Sequence, residues 1–118
     1  PNRERKSLSN EHTFSHDLPG LEDGLRELAP LVVELAGDLR DKHADRQVQS
    51  AFVKVKFADF QQTTAERRTL APDPVVFEDL LEEAWARGEG KPVRLIGAGV
   101  RFVPLAKDGA GEQLELSL

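Results

Sequence analysis

Hydrophobic positions along this chain fall into two periods, and the period decides the element. Val53, Val55 and Phe57 alternate with Lys54 and Lys56, so an extended strand here puts apolar side chains on one face and ammonium groups on the other. Leu21, Leu25, Leu28, Val32, Leu35 and Leu39 recur at spacings of 4, 3, 4, 3 and 4, which is one stripe along a helix. Pro30 interrupts that stripe. A proline inside a helix removes a hydrogen bond and costs about 3 kcal/mol, so a kink or a break into two shorter helices is expected there. A second helix is predicted with Asp73 as N-cap and Pro74 at its first position, burying Phe77, Leu80, Leu81 and Ala84 with Trp85 at the stripe's edge. Gly88 and Gly90 end it.

Strand patterns fill the gaps between the helices: Lys6 to Phe14, Gln47 to Phe57, Thr63 to Leu70 and Val93 to Val103. The second and third are joined by a connection short enough to require an antiparallel turn, which Asp59 is placed to shape. Gly97 and Gly99 inside the last strand signal a bulge or a close backbone approach, and this leaves open how Arg94 and Arg101, of opposite parity, face. The order is β-α-β-β-α-β, an α+β fold of the split, ferredoxin-like kind: a four-stranded sheet with two helices on one face. With 118 residues the chain has enough for one core and no room for two.

Charge sharpens this picture. The net charge is −5, yet residues 17–42 alone carry −4 and residues 73–90 carry −5, so the remainder is +4. The strand candidates 48–57 and 93–104 contain four basic residues and no acid. Acid therefore sits on predicted helices and base on predicted strands. If both helices cover one sheet face, the opposite face is basic, as a surface meeting a polyanion needs to be.

No catalytic constellation emerges. His12, His16 and His43 are scattered without metal-ligand spacing, nothing pairs Asp59 with Asp17, and there is no phosphate-binding glycine loop or activated nucleophile. No cofactor is implied for this segment. The chain has no cysteine, and neither a signal peptide nor a membrane span is legible, so a cytoplasmic, monomeric domain without membrane partners is expected. The chain also has no methionine, and Pro1-Asn2-Arg3-Glu4-Arg5-Lys6 reads as a cut made inside a longer polar linker. The expected organisation is a linker over 1–6, a domain over 7–105 and a tail over 106–118.

Four stretches, in order, carry a family resemblance: Arg5-Lys6-Ser7 leading into Asn10-Glu11-His12-Thr13-Phe14; Lys54-Val55-Lys56-Phe57-Ala58-Asp59-Phe60-Gln61-Gln62-Thr63-Thr64; Arg67-Arg68-Thr69-Leu70; and Pro92-Val93-Arg94-Leu95-Ile96-Gly97-Ala98-Gly99-Val100. The chain resembles the little finger domain of Y-family translesion DNA polymerases, most closely the bacterial DNA polymerase IV (DinB) branch. The resemblance implies the fold already expected. It also implies that the palm, fingers and thumb, with the Mg2+-binding carboxylates of nucleotidyl transfer, lie upstream, and that this segment lies in the major groove of double-stranded primer-template DNA. Phosphate contacts position a protein without reading sequence, as a polymerase moving along any template requires. Lys54 and Lys56 lead the candidate contacts by strand geometry. Arg67 and Arg68 follow, though alternation points only one of the two at DNA unless the strand bulges. Ser7 and Thr63 are further donors, Arg94 and Arg101 further cations, and Arg5 and Lys6 belong to the linker.

The tail is a separate signal. Gln113-Leu114-Glu115-Leu116-Ser117-Leu118 follows a glycine-rich tether and resembles the peptide with which bacterial polymerases and repair proteins bind the β sliding clamp. Leu114, Leu116 and Leu118 would anchor in an apolar pocket and Gln113 would supply hydrogen bonds; a fifth strand of the sheet is the alternative. Two other readings compete for the whole chain. One is a catalytically inactive Y-family relative acting as a clamp and partner adaptor. The other is an RNA-binding domain of the same topology, which requires base-stacking aromatics on the open face, and Phe14, Phe57 and Phe60 do not supply a facing pair.

Overall fold

The computed structural model describes residues 5–105. Its elements follow the predicted order: β1 (Ser7–Leu18), α1 (Leu21–Lys42), β2 (Val48–Phe57), β3 (Gln62–Arg68), α2 (Pro74–Ala86) and β4 (Val93–Phe102). The strands form one sheet in the order β1-β4-β2-β3 with every neighbouring pair antiparallel. Each β-α-β unit is therefore split, β4 lying between β1 and β2, and β2 between β3 and β4.

The side-chain alternation of β2 sets the layers. Ala51, Val53, Val55 and Phe57 are buried under the helices, and in β4 their partners Val100, Ala98, Ile96 and Val93 share that fate. Helix α1 adds Leu28, Leu31, Val32, Leu35 and Leu39, and α2 adds Phe77, Leu80, Leu81, Ala84 and Trp85. Burying a Leu or Phe side chain is worth roughly 1.5–3 kcal/mol, so this layer dominates the fold's stability. The α2 cap forms as expected: Asp73 Oδ1 accepts from the Val75 amide at 2.9 Å, with Pro74 following.

Helix α1 runs unbroken through Pro30, so of the kink or break expected there the break into two shorter helices does not occur. Pro30 lies on the exposed side, and the carbonyl four residues before it belongs to the exposed Arg26, where water can replace the missing amide. Leu31, absent from the expected stripe, is buried as well, and its carbonyl accepts from Asn10 Nδ2 of β1 at 3.2 Å.

The two helices approach closely at Gly24, where a Cβ would lie against the ring of Trp85. Gly99 in β4 is a second close approach: a Cβ there would meet the Phe52 ring, Ser9 Cβ at 2.6 Å and the Leu8 carbonyl at 2.8 Å. The Gly97–Gly99 stretch therefore marks close packing. Register shifts fall elsewhere, between Thr13 and Leu18 in β1, between Val48 and Ser50 in β2, and at Lys56/Phe57 opposite Arg94.

The β2–β3 connection closes with Phe60 at φ 72, in left-handed backbone normally given to glycine. That conformation costs a phenylalanine about 1 kcal/mol. It is held from outside the ring. The Phe60 amide donates to the Phe57 carbonyl at 2.9 Å, the Ala58 amide donates to the Pro92 carbonyl at 2.9 Å, and Asp59 Oδ1 accepts from the Gln61 amide at 3.0 Å. At the opposite end of the sheet Arg46 donates to the carbonyls of Arg5 at 2.7 Å and Val103 at 3.4 Å, with its guanidinium over the Phe102 ring.

Gly24→Ala pits two effects against each other. Alanine is the better helix former by about 1 kcal/mol, but the added methyl displaces a buried indole, an overpacking that costs typically 1–3 kcal/mol. A net loss of about 1 kcal/mol is expected in urea unfolding, and a gain would show that α1 and α2 separate easily.

Candidate nucleic-acid interface

The sheet face away from the helices is polar, and cross-strand pairing arranges it in rows. From β1 to β3 these are Ser7, Arg101, Ser50, Arg68; then Ser9, Gly99, Phe52, Glu66; then Glu11, Gly97, Lys54, Thr64; then Thr13, Leu95, Lys56, Gln62. Lys54, Lys56, Arg68 and Arg101 thus share one face, with Ser7 at its edge beside Arg101. Gly97 lies in a depression of about 200 Å³ between Glu11, Lys54, Phe52 and Arg101.

This face is not purely cationic, which corrects the expectation from β2 and β4 alone. The edge strands bring carboxylates to it. Lys54 Nζ lies 2.9 Å from Glu11 Oε1, and Arg101 Nε lies 3.0 Å from Glu66 Oε2. Exposed pairs of this kind are worth about 0–1 kcal/mol each and are screened by salt. Ser50, only 4% exposed, donates to Glu66 Oε2 at 2.5 Å. That hydrogen bond, with Arg101 beside it, holds the Glu66 carboxyl below its ordinary range despite partial desolvation. Phe52 brings an aromatic ring to the same face, where the Arg101 guanidinium lies 4.8 Å from its centroid.

The remaining sequence-predicted residues separate by parity. Arg67 and Thr63 sit on the side covered by α2, opposite Ala51 and Val55, and so do not belong to the open face. Arg67 pairs with Asp79 at 3.4 Å, and the Thr63 hydroxyl accepts from Arg87 Nη1 at 2.7 Å. Arg94 stands at the register shift, half-buried, with its guanidinium 4.8 Å from the exposed Phe60 ring. Arg5 and Lys6 are exposed and lead into β1 beside Arg101. Asp59 shapes the hairpin as expected and also accepts from Lys91 Nζ at 2.9 Å, which lowers its carboxyl below the usual range together with the Gln61 amide. His12 lies against Phe14 and His43 against Phe102. Among the described residues no three His, Asp or Glu side chains come together as metal ligands, and no helix is long and apolar enough to cross a membrane. Gln113, Leu114, Leu116 and Leu118 lie outside the described residues.

Glu11, Ser50, Phe52 and Glu66 were missed from sequence as parts of the face. Their alternation with buried neighbours was the available signal, but which strands lie side by side was not.

Residues 5–116 match the impB/mucB/samB family C-terminal domain. The chain belongs to that family. This impB/mucB/samB C-terminal domain is 47% identical over 112 residues to a DNA polymerase IV of Ectopseudomonas mendocina (strain ymp), covering 95% of this chain and 31% of the relative. It is 43% identical over 105 residues to that of Marinomonas sp. (strain MWYL1), covering 86% and 29%. The chain thus spans about a third of the length of the curated relatives it matches. Among solved structures it superposes with a TM-score of 0.80, at 28% identity, on the little finger domain of PolIV in complex with the beta-clamp processivity factor, covering 95% of this chain and 99% of that one. A post-insertion binary complex of Dbh DNA polymerase shares the fold at a TM-score of 0.67 and 17% identity, covering 80% and 28%.

The Ser50–Glu66 bond has a measurable consequence. Because the folded-state carboxyl titrates below its unfolded value, its contribution to stability is complete above the ordinary glutamate range and is lost as pH falls through the lowered value. Ser50→Ala removes the largest cause, so Glu66 should titrate higher in an NMR pH titration of its carboxyl carbon. An unchanged titration would assign the shift to Arg101 instead.

Proposed function

We propose that this domain is the DNA-gripping little finger of an error-prone translesion DNA polymerase of the bacterial cytoplasm, and that its tail recruits the enzyme to the β sliding clamp. The observation that carries the reading is the open sheet face: Lys54, Lys56, Arg68 and Arg101 stand on it with no helix above, while the two helices behind carry ten acidic residues against three basic ones. A twisted sheet with a row of cations fits along a groove of duplex DNA and meets phosphates without reading bases. Ser7, Arg94, Arg5 and Lys6 extend the contact along the edge and the linker. Nucleotidyl transfer, with its Mg2+ ions, belongs in this reading to residues outside the chain. The domain acts as a monomer whose part is to hold primer and template.

The paired carboxylates make the grip adjustable. Phosphate competes with Glu11 for Lys54 and with Glu66 for Arg101, and since each exposed pair is weak, exchange is inexpensive in free energy. The tail supplies the second attachment. Gln113, Leu114, Leu116 and Leu118 form an extended peptide whose leucines enter an apolar pocket on the clamp, at about micromolar affinity because the segment must be ordered on binding. Two weak attachments joined in one chain then reinforce each other through effective concentration.

With about four to six phosphates contacted, log affinity for duplex DNA should fall against log salt with a slope of roughly −4 to −5. Fluorescence anisotropy at several salt concentrations measures it, and a flat response would remove the phosphate-gripping role. In the same assay Lys54→Ala with Lys56→Ala should weaken all duplexes alike, whereas Glu11→Gln should tighten them by roughly threefold at low salt.

Deleting residues 113–118 should abolish calorimetric binding to the β clamp and leave the thermal midpoint nearly unchanged. A large loss of thermal stability would mean that the leucines complete the sheet.

A further inference from the structure

Phe60 combines three properties that the fold itself does not require. Its backbone is left-handed at φ 72, a position where glycine is unstrained. Its side chain is 64% exposed at the tip of the β2–β3 hairpin. The turn is already fixed by other atoms: Lys91 Nζ bridges Asp59 Oδ2 at 2.9 Å and Gln61 Oε1 at 2.8 Å, and the Asp59 carboxylate and the Pro92 carbonyl hold the backbone amides. The ring therefore sits at a strained, solvent-facing position, and the hydrogen bonds that hold the turn do not run through it.

Its surroundings indicate what it meets. Lys56 Nζ lies 5.9 Å from the ring centroid and the Arg94 guanidinium 4.8 Å from it. Lys56 belongs to the open face, so the ring stands at the rim of that face, at the hairpin end of the rows. An exposed aromatic ring covered by a mobile guanidinium has the chemistry of a single-strand platform: a base takes the guanidinium's place on the ring face, and its flanking phosphates pair with the displaced charge and with Lys56. A base paired inside a duplex offers no free face for this. An unpaired one does.

We propose that Phe60 is a stacking platform for an unpaired nucleobase where duplex gives way to single strand, with Lys56 and Arg94 on the adjoining phosphates. This rests on the duplex-gripping reading above, and the ring extends that grip from the double helix to its single-stranded end. Apolar contact with a protein partner is the competing use of the ring, and it predicts no dependence on bases.

The test compares the whole chain on three labelled DNAs by anisotropy at fixed salt: a blunt duplex, the same duplex with a single-stranded overhang, and one whose overhang is abasic. Wild type should prefer the base-bearing overhang over the abasic one by roughly tenfold, since stacking and not added charge supplies the gain. Phe60→Gly should erase that preference, leave blunt-duplex affinity unchanged and leave the thermal midpoint no lower, because glycine suits the backbone. Phe60→Trp should retain the preference. Equal binding of base-bearing and abasic overhangs by wild type would overturn the proposal while leaving the duplex grip intact. Failure to bind even the blunt duplex would instead refute the grip itself. A preference that survives Phe60→Gly, or a fall in thermal midpoint in that variant, would also overturn it by placing the stacking elsewhere or giving the ring a structural role.

Discussion

The β2–β4 pair at the centre of the sheet has one face that cannot remain in water. Val53, Val55, Ala98 and Val100 are fully buried, and both helices exist as covers for them. Helix α2 alone spans 13 residues, a length at which an isolated helix in water is marginal, so its apolar stripe and the sheet stabilise each other. Once that face is sealed, strand alternation leaves the lysines of β2 and Arg101 of β4 one place to go. The acidic outer surfaces of the helices and the cation-bearing open face are two results of one packing constraint.

The same alternation decides how strongly the open face can attract an anion. Edge strands β1 and β3 obey the same parity as the centre, so Glu11 and Glu66 arrive beside Lys54 and Arg101 by register. An uncompensated cationic plate would bind polyanions tightly and release them slowly. A plate with exchangeable carboxylate partners has a lower gross affinity and a route for each cation to change partners without being desolvated alone. For a domain proposed to travel along a duplex, weak and replaceable contacts suit the task better than strong ones.

Much of this was readable from the chain because period and capping are local. The 3–4 spacing from Leu21 to Leu39, the Asp73-Pro74 start and the Val53-Lys54-Val55-Lys56-Phe57 alternation each specify an element without reference to the rest. At Pro30 the pattern could not choose between a kink and a break, because whether the helix continues depends on whether the freed carbonyl meets solvent, which only the packing decides. The choice between Arg67 and Arg68 awaited strand parity relative to Ala65 and Val53, and Arg94 awaited a register shift that no residue pattern marked. Glu11 and Glu66 are 55 positions apart in sequence, yet they belong to one surface because β4 and β2 lie between their strands. Neighbourhood across a sheet is a property of topology, and a propensity or a motif carries little of it.

Arg46 ties the backbone just before β1 to the backbone just after β4, through carbonyls of Arg5 and Val103 held by a single guanidinium. The two ends of the described fold are thereby held together at one corner of the sheet. Traction on one strand of this junction loads the other directly, with no lever arm across the sheet.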